Sequence, residues 1–145
     1  MADRTESSIV IDAPPADVMA VIADLEAYPE WSSDVKSVEV LSVYEDDERP
    51  AEARFVIDSG AFKDDYALEY VWTGDEHVSW VMSTPGSLLK SLDGEYALAA
   101  TPEGTEVTYR ITVDVKIPMI GMIKRKAEKV IVDTALKGLK ARVEG

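Results

Sequence analysis

The sequence predicts an α+β fold in which a curved antiparallel sheet of six or seven strands wraps around a long C-terminal helix. Three observations support this prediction. Apolar and polar residues alternate with period two in several segments between residues 35 and 115, as expected for strands with one buried face. Short turns join these segments, which favours antiparallel pairing. After Pro118 the apolar period becomes that of a helix, and such a helix needs the sheet as its packing partner.

The first elements are predicted to be a strand and two short helices. Residues 5–11 form a β-rich run that ends at Asp12. Pro15 suits the first turn of a helix, because the N–H that it lacks would have no partner there, and apolar residues continue at helical spacing to about Leu25. Pro29 is expected near the start of a second helical turn.

Six further strands are predicted before the long helix. The clearest alternation lies between Val107 and Val115, where every second residue is apolar. The Asp93-Gly94 pair indicates a bulge or bend in the longest strand. The acidic runs at 45–48 and 64–65 are interpreted as solvated hairpin turns. The predicted strands span residues 35–44, 51–58, 65–72, 77–83, 88–100 and 106–115.

The final helix is predicted to run for about 25 residues from Pro118, or roughly 38 Å at the rise of an α-helix. We expect its apolar residues to face the sheet and its basic residues to face outward. Ala127→Asp or Ile131→Asp would then bury an unpaired carboxylate and destabilise the protein. The predicted apolar stripe consists of Ile120, Ile123, Ala127, Val130, Ile131, Ala135, Leu139 and Val143.

Composition limits the classes of function. The length of 145 residues predicts one domain, 1–145. The absence of cysteine and the single histidine, His77, exclude disulfides, thiolate zinc sites and multi-histidine metal sites, so we expect no metal and no cofactor. No apolar run approaches the roughly 20 residues of a membrane helix, and the first residues lack the pattern of a secretory signal. These features predict a cytoplasmic protein.

Charge is distributed unevenly along the chain. Residues 1–115 hold 7 basic and 25 acidic side chains, whereas residues 116–145 hold 8 basic and 3 acidic ones, within a net charge of −13. The acidic excess disfavours nucleic acid as a partner. The basic C-terminal segment has two interpretations, which are complementary contacts with the acidic body and transient contact with anionic lipid or another anion.

Several short motifs follow one another along nearly the whole chain. They are Ile9-Val10-Ile11-Asp12-Ala13-Pro14, Asp24-Leu25-Glu26-Ala27-Tyr28-Pro29-Glu30-Trp31, Leu88-Leu89-Lys90-Ser91-Leu92-Asp93-Gly94-Glu95-Tyr96 and Gly104-Thr105-Glu106-Val107-Thr108-Tyr109, followed by the long helix. In this order they resemble the SRPBCC (START-like, Bet v 1-like) superfamily and, more closely, small actinobacterial proteins described as polyketide cyclase/dehydrase-like. The resemblance implies the helix-grip fold and a hydrophobic cavity between the sheet and the long helix. It selects no single function, because the superfamily includes both lipid carriers and aromatase/cyclases.

Aromatic residues on the apolar phase of the strands are the main candidates for a ligand site. Buried tyrosine and tryptophan have polar tips that need partners, so they suit a pocket with a few polar groups. An ordinary hydrophobic core is the alternative interpretation. Loops near residues 28–31, 83–87 and 119–122 would admit the ligand. The predicted ligand-binding residues are Trp31, Phe55, Tyr66, Tyr70, Trp72, Trp80, Met82, Tyr96, Tyr109, Met119, Met122, Ile123, Ala127 and Ile131.

Three functions remain open from the sequence. The leading hypothesis is non-catalytic binding or transport of a lipid, isoprenoid or polyketide. The alternative is a polyketide aromatase, cyclase or dehydrase. The resemblance implies that such enzymes use a buried arginine, whereas Arg54 and Arg110 fall on the polar phase of their strands. His77, in a turn, is interpreted as solvated, and no catalytic residue is predicted. The third hypothesis is an interaction module without a ligand.

Overall fold

Within the described residues, seven strands form one antiparallel sheet, and a long helix follows the last strand. The structure is a computed structural model that describes residues 5–32, 35–46, 48–58, 63–115 and 121–145, with the side chains of all of these except 115 and 121–127. The elements are β1 (Thr5–Ile11), α1 (Pro15–Ala23), a 3₁₀ helix (Leu25–Glu30), β2 (Val35–Val43), β3 (Pro50–Asp58), β4 (Lys63–Thr73), β5 (His77–Thr84), β6 (Leu89–Thr101), β7 (Gly104–Val115) and α2 (Gly121–Glu144). The predicted fold class is confirmed.

The sheet follows the order β1-β7-β6-β5-β4-β3-β2, so the first two strands lie at opposite edges. The segment with α1 and the 3₁₀ helix therefore connects one edge of the sheet to the other. β1 pairs with β7, as in Ile9↔Val107, and β2 pairs with β3. β5 and β6 pair over a short stretch that ends at Trp80↔Gly94.

One half of the core is sealed from solvent. α1 contributes Val18 and Met19, α2 contributes Val132 and Leu139, and β7 contributes Val107, all with 0% exposure. The hydroxyl of Thr105 donates to the backbone oxygen of Ala13 at 2.7 Å and ties the start of α1 to the sheet. We call this the closed half of the core. It holds the helices in place and so fixes the space in which the remaining core residues pack.

The inward face of α2 differs from the predicted one. Val132, Leu136 and Leu139 are at most 2% exposed, whereas Val130 is 58% and Ile131 43% exposed. The prediction that Ile131 faces the sheet is therefore wrong. Apolar residues occur all around this helix. Because an α-helix turns by about 100° per residue, the predicted stripe combined residues that lie nearly 180° apart on the helix. The helix begins at Gly121, and Pro118 lies outside the described residues.

Three local predictions also need correction. Pro29 lies near the end of the 3₁₀ helix rather than near its start. The register shift in β6 falls between Leu89 and Ser91, while Gly94 pairs in regular register. Asp64 is only 6% exposed and belongs to β4, so it is not a solvated turn residue.

Candidate ligand site

The other half of the core is built from aromatic rings of adjacent strands. Trp80 on β5 lies at the centre, with ring centroids 5.7 Å from Tyr70 on β4, 5.5 Å from Tyr96 on β6 and 5.8 Å from Tyr109 on β7. Tyr96 and Tyr109 pack edge to face at 4.6 Å. These contacts arise because alternate residues of neighbouring strands point to one face of the sheet. The structure thus brings together four of the predicted site residues.

A second aromatic group extends this cluster toward the 3₁₀ helix. Phe55 stacks on Tyr66 at 5.9 Å and meets Tyr28 at 6.3 Å, and Tyr28 packs on Trp31 at 4.9 Å. The hydroxyl of Tyr28 donates to the backbone oxygen of Ile22 at 2.6 Å, which anchors the ring. The predicted site omitted Tyr28, although it lies within one of the motifs that carried the resemblance. We refer to both groups together as the aromatic half of the core.

Gly94 lets the indole of Trp80 reach across to β6. A Cβ at position 94 would lie 2.5 Å from Cζ2 of Trp80, which is closer than side-chain carbons approach. Any larger residue would therefore displace the ring from the centre of the cluster. The sequence interpretation took this glycine for a bend, but its structural role is this close approach.

Four tyrosine hydroxyls in the aromatic half make no hydrogen bond to another described residue. Two other side-chain atoms of the described residues are fully enclosed and lack a hydrogen-bond partner. They are Nε1 of Trp31 and Oγ1 of Thr101. The side chains of these tyrosines keep 4% to 8% exposure, in contrast to the closed half. These residues, the inner tyrosines, are Tyr66, Tyr70, Tyr96 and Tyr109.

Burial keeps the inner tyrosines neutral. Removal from water raises the pKa of all four phenols above the ordinary value of 10.0, and neighbouring tyrosines add to the effect for Tyr66, Tyr70 and Tyr96. A neutral phenol both donates and accepts a hydrogen bond. The aromatic half thus combines apolar ring surfaces with phenol hydroxyls that stay protonated.

The other predicted site residues lie in different places. Trp72 stacks on Tyr70 at 5.5 Å, but its indole N–H donates to the backbone oxygen of Pro50 at 2.7 Å, so its polar tip is already used. Met82 is half-buried at the margin of the core. Ile131 is on the outer surface of α2 and does not join the site. Met119 and the side chains of Met122, Ile123 and Ala127 lie outside the described residues.

The loop between β5 and β6 is held by a buried carboxylate. Asp64 accepts the backbone N–H of Ser87 at 2.6 Å and that of Leu89 at 2.9 Å, with weaker donation from Leu88 at 3.3 Å. A Cβ at Gly86 would lie 2.2 Å from Oδ2 of Asp64, so the loop follows the carboxylate closely. The sequence contained a signal for this contact, since the alternation of Tyr66, Leu68 and Tyr70 extends back to position 64. One predicted entrance is therefore pinned to β4.

Two open grooves of about 280 Å³ each lie along the sheet, and the second one touches the aromatic half at Trp80. One is formed by the ends of β3 and β4 with Ser87, and Lys36, Lys63 and Asp58 line it. The other crosses the sheet where β5 and β6 diverge, beside Gly94 and Arg110. Neither groove is the predicted cavity between the sheet and α2.

Several described charged residues pair with one another on the outer face of the sheet. Arg54 pairs with Asp65 and Arg110 with Glu6, in agreement with the polar phase predicted for both arginines. His77 opens β5, and its Nε2 lies 2.5 Å from Oε2 of Glu95, so it is a partnered residue rather than a solvated one. Among the described residues, no three histidine, aspartate or glutamate side chains are placed to hold a metal ion. No helix among them is long and apolar enough to span a membrane.

Comparison with known families gives one match over most of the chain. Residues 11–140 match the model of the family described as polyketide cyclase/dehydrase and lipid transport. A comparison with curated proteins gives no match.

Solved structures share the fold at low sequence identity. A START superfamily protein from Mycobacterium smegmatis superposes with a TM-score of 0.88 at 20% identity, covering 97% of both chains. The Zhui aromatase/cyclase from Streptomyces sp. R1128 gives 0.81 at 12% identity, covering 99% of this chain and 94% of that one. A STAR-related lipid transfer protein from Xanthomonas axonopodis gives 0.73 at 16% identity, covering 98% and 86%. At these identities the likeness establishes the helix-grip fold and leaves the function to the residues of the site.

Proposed function

Since residues 11–140 match its model, the chain belongs to the polyketide cyclase/dehydrase and lipid transport family, and we propose that it binds and carries a hydrophobic small molecule without catalysis. The ligand class is a lipid, isoprenoid or polyketide, held between the sheet and α2. We also propose that it does so in the cytoplasm. One observation carries the proposal, namely that the inner tyrosines are buried in an otherwise apolar part of the core while their hydroxyls make no hydrogen bond to another described residue.

Polar groups without a hydrogen-bond partner in a protein core raise the free energy of the folded state. Leaving a buried hydroxyl without any hydrogen bond costs about 1–3 kcal/mol, so the inner tyrosines favour water or a ligand as a partner for their hydroxyls. A ligand with an apolar body and a polar end would pair with some of these hydroxyls and cover the aromatic rings. The contrast with the closed half, whose residues are fully buried, supports a binding role for the aromatic half.

In this proposal each part of the site has a defined task. The rings of Phe55, Trp80 and the inner tyrosines contact the apolar body of the ligand, and the phenols orient its polar end. The loop held by Asp64 and the segment from Tyr28 to Trp31 border the site and would control entry. The described interior can orient a ligand and exclude water from its apolar body, as a carrier requires.

A polyketide cyclase or dehydrase is the second candidate. The phenols favour it, because a protonated phenol beside a carbonyl oxygen stabilises developing negative charge. The remaining described chemistry supports it less. Arg54 and Arg110 pair on the outer face, and the buried carboxylates of Asp64 and Glu128 already accept backbone or hydroxyl donors. No described acid or base faces the inner tyrosines without a partner.

The proposal is tested by titrating the protein with a fluorescent fatty acid and with a polycyclic hydrocarbon dye, following the quenching of tryptophan emission. The double variant Tyr70→Phe with Tyr96→Phe should weaken binding of the fatty acid about tenfold, at roughly 0.5–1.5 kcal/mol per hydrogen bond. It should leave the hydrocarbon dye unaffected. Tyr44→Phe is the matched control, because its hydroxyl donates to the backbone of Tyr70 and does not belong to the inner set.

Two outcomes would overturn the proposal. If neither probe binds the folded protein, the ligand-free interaction module becomes the better hypothesis. If a linear polyketide is converted to a cyclic product faster with the protein than without it, the cyclase assignment replaces the carrier.

A further inference from the structure

The outward surface of α2 combines exposed apolar residues with positive charge. Val130 and Ile131 are adjacent and exposed to 58% and 43%. Lys137 lies two turns after Val130 on the same side of the helix and is exposed too. We call these three residues the outer patch. A soluble helix normally places polar residues on this face, and these two aliphatic side chains leave about half of their surface in water.

The charge of the chain is separated between this helix and the remaining protein. Residues 116–127 hold four basic residues and no acidic one, and residues 1–115 carry a net charge of −18. Three of those cations, at positions 124–126, belong to the first two turns of α2. Cations stabilise a helix at its C-terminal end, so the helix dipole gives no reason for their position.

Apart from Lys137 of the outer patch, the later cations of α2 are paired within the fold. Lys129 pairs with Asp133 at 2.8 Å, and Arg142 pairs with Glu30 at 3.1 Å. The positive excess of the helix therefore lies toward its first half, which is where the chain also exposes Val130 and Ile131. Aliphatic residues bordered by cations are the combination that binds the interface of an anionic bilayer.

We propose that the outer patch docks the protein on membranes that contain anionic lipid. The cations supply long-range attraction, and Val130 and Ile131 enter the headgroup region. The acidic sheet is repelled by the same surface, so the protein approaches with α2 toward the bilayer. This contact does not require the proposed ligand site, and it binds the lipid surface rather than a single lipid molecule.

The experiment is co-sedimentation of the full chain with vesicles of phosphatidylcholine alone and of phosphatidylserine and phosphatidylcholine in equal parts. We expect binding to the mixed vesicles that is lost as salt is raised. Val130→Ser with Ile131→Ser should lower the partition coefficient about tenfold, because most of the apolar contribution is removed. Lys137→Ala should lower it about fivefold. The matched control is Val71→Ser with Val81→Ser, whose side chains are 60% and 51% exposed on the sheet.

Each alternative outcome contradicts the proposal. Equal binding to both vesicle types would exclude anionic recognition. An equal loss of binding in the control pair would mean that any exposed aliphatic residue contributes. A dimer of the wild type that dissociates in the Val130→Ser/Ile131→Ser variant would identify the occupant as the acidic face of a second copy. Titration of the variants with the fluorescent fatty acid, without vesicles, separates this result from the proposed ligand binding.

Discussion

Oε2 of Glu128 accepts the backbone N–H of Val113 at 3.0 Å, which joins α2 to the sheet. Oε1 of the same carboxylate accepts the hydroxyl of Thr5 at 3.1 Å. The described pairing of β1 with β7 reaches Thr5↔Ile111, so Val113 lies beyond it. The carboxylate, 2% exposed, takes the place of a strand partner for an N–H that would otherwise be buried and unpaired.

Glu128→Ala should therefore destabilise the protein by about 1–3 kcal/mol, the cost of an unsatisfied buried donor. Glu128→Gln should retain most of the stability, because its amide oxygen can accept the same N–H. Urea unfolding followed by circular dichroism measures both, with Glu106→Ala on the exposed side of β7 as the control. Equal loss in the alanine and glutamine variants would mean that the negative charge, rather than the hydrogen bond, matters.

The orientation of α2 predicts opposite results for two neighbouring residues. Val132→Asp would bury an uncompensated carboxylate and should cost about 3–5 kcal/mol. Ile131→Asp adds the same carboxylate on the exposed face and should change stability by no more than about 0.5 kcal/mol. Thermal melts of the two variants compare them directly. Similar melting temperatures would contradict the orientation of the helix.

Asp64→Ala should release the loop between β5 and β6. Hydrogen bonds to a charged group contribute about 1.5–3 kcal/mol, so the amides of Ser87 and Leu89 should exchange at least about tenfold faster. Native-state hydrogen exchange by NMR measures this at each amide. Asp93→Ala, an exposed acid on β6, is the control. Unchanged protection at Ser87 and Leu89 would show that the loop is held by its own packing.

Gly94→Ala should move the indole of Trp80 and cost about 1–3 kcal/mol through overpacking. The near-ultraviolet circular dichroism of the aromatic half should change with it. A second substitution, Trp80→Phe, removes the ring atoms that the new Cβ would meet and should restore part of the lost stability. No rescue in the double variant would place the strain in the backbone of β6 instead.

Stability should fall as the pH rises above about 10. The pKa of the inner tyrosines is raised in the folded state, so the folded protein keeps phenolic protons that the unfolded chain begins to lose near 10.0. Unfolding thus releases protons, and this contribution to stability is complete below that pH and declines above it. Tyrosinate absorbance and circular dichroism should change together in an alkaline titration. Ionisation of all tyrosines before any loss of structure would contradict their burial.

The period-two alternation of apolar and polar residues made the sheet predictable. The alternation around Tyr70, Trp80 and Tyr109 identified both the strands and the face that carries the site, because a strand has only two faces. The helix offered more choices. Valines and isoleucines surround α2, so hydrophobicity alone could not distinguish Val132 from Ile131.

Tertiary contacts account for what the sequence could not reveal. Asp64 and Glu128 look like surface acids in the sequence, and their burial depends on backbone donors 23 and 15 residues away. The role of Gly94 depends on a ring from another strand. The expected cavity between the sheet and α2 stays a prediction, since its helical wall includes residues outside the described ones.

The pairing of the first strand with the last has a consequence for how the chain folds. Ile9 lies beside Val107, and α2 packs on β1, so the edge of the sheet assembles from segments about 100 residues apart. Such contacts require the loss of a large loop-closure entropy before any hydrogen bond forms, and this cost slows folding. On the ribosome, the hairpins from β2 to β7 can pair in order, whereas β1 stays unpaired until β7 has been synthesised. The final steps of folding should therefore be the docking of β1 and α2, the two elements that seal the closed half.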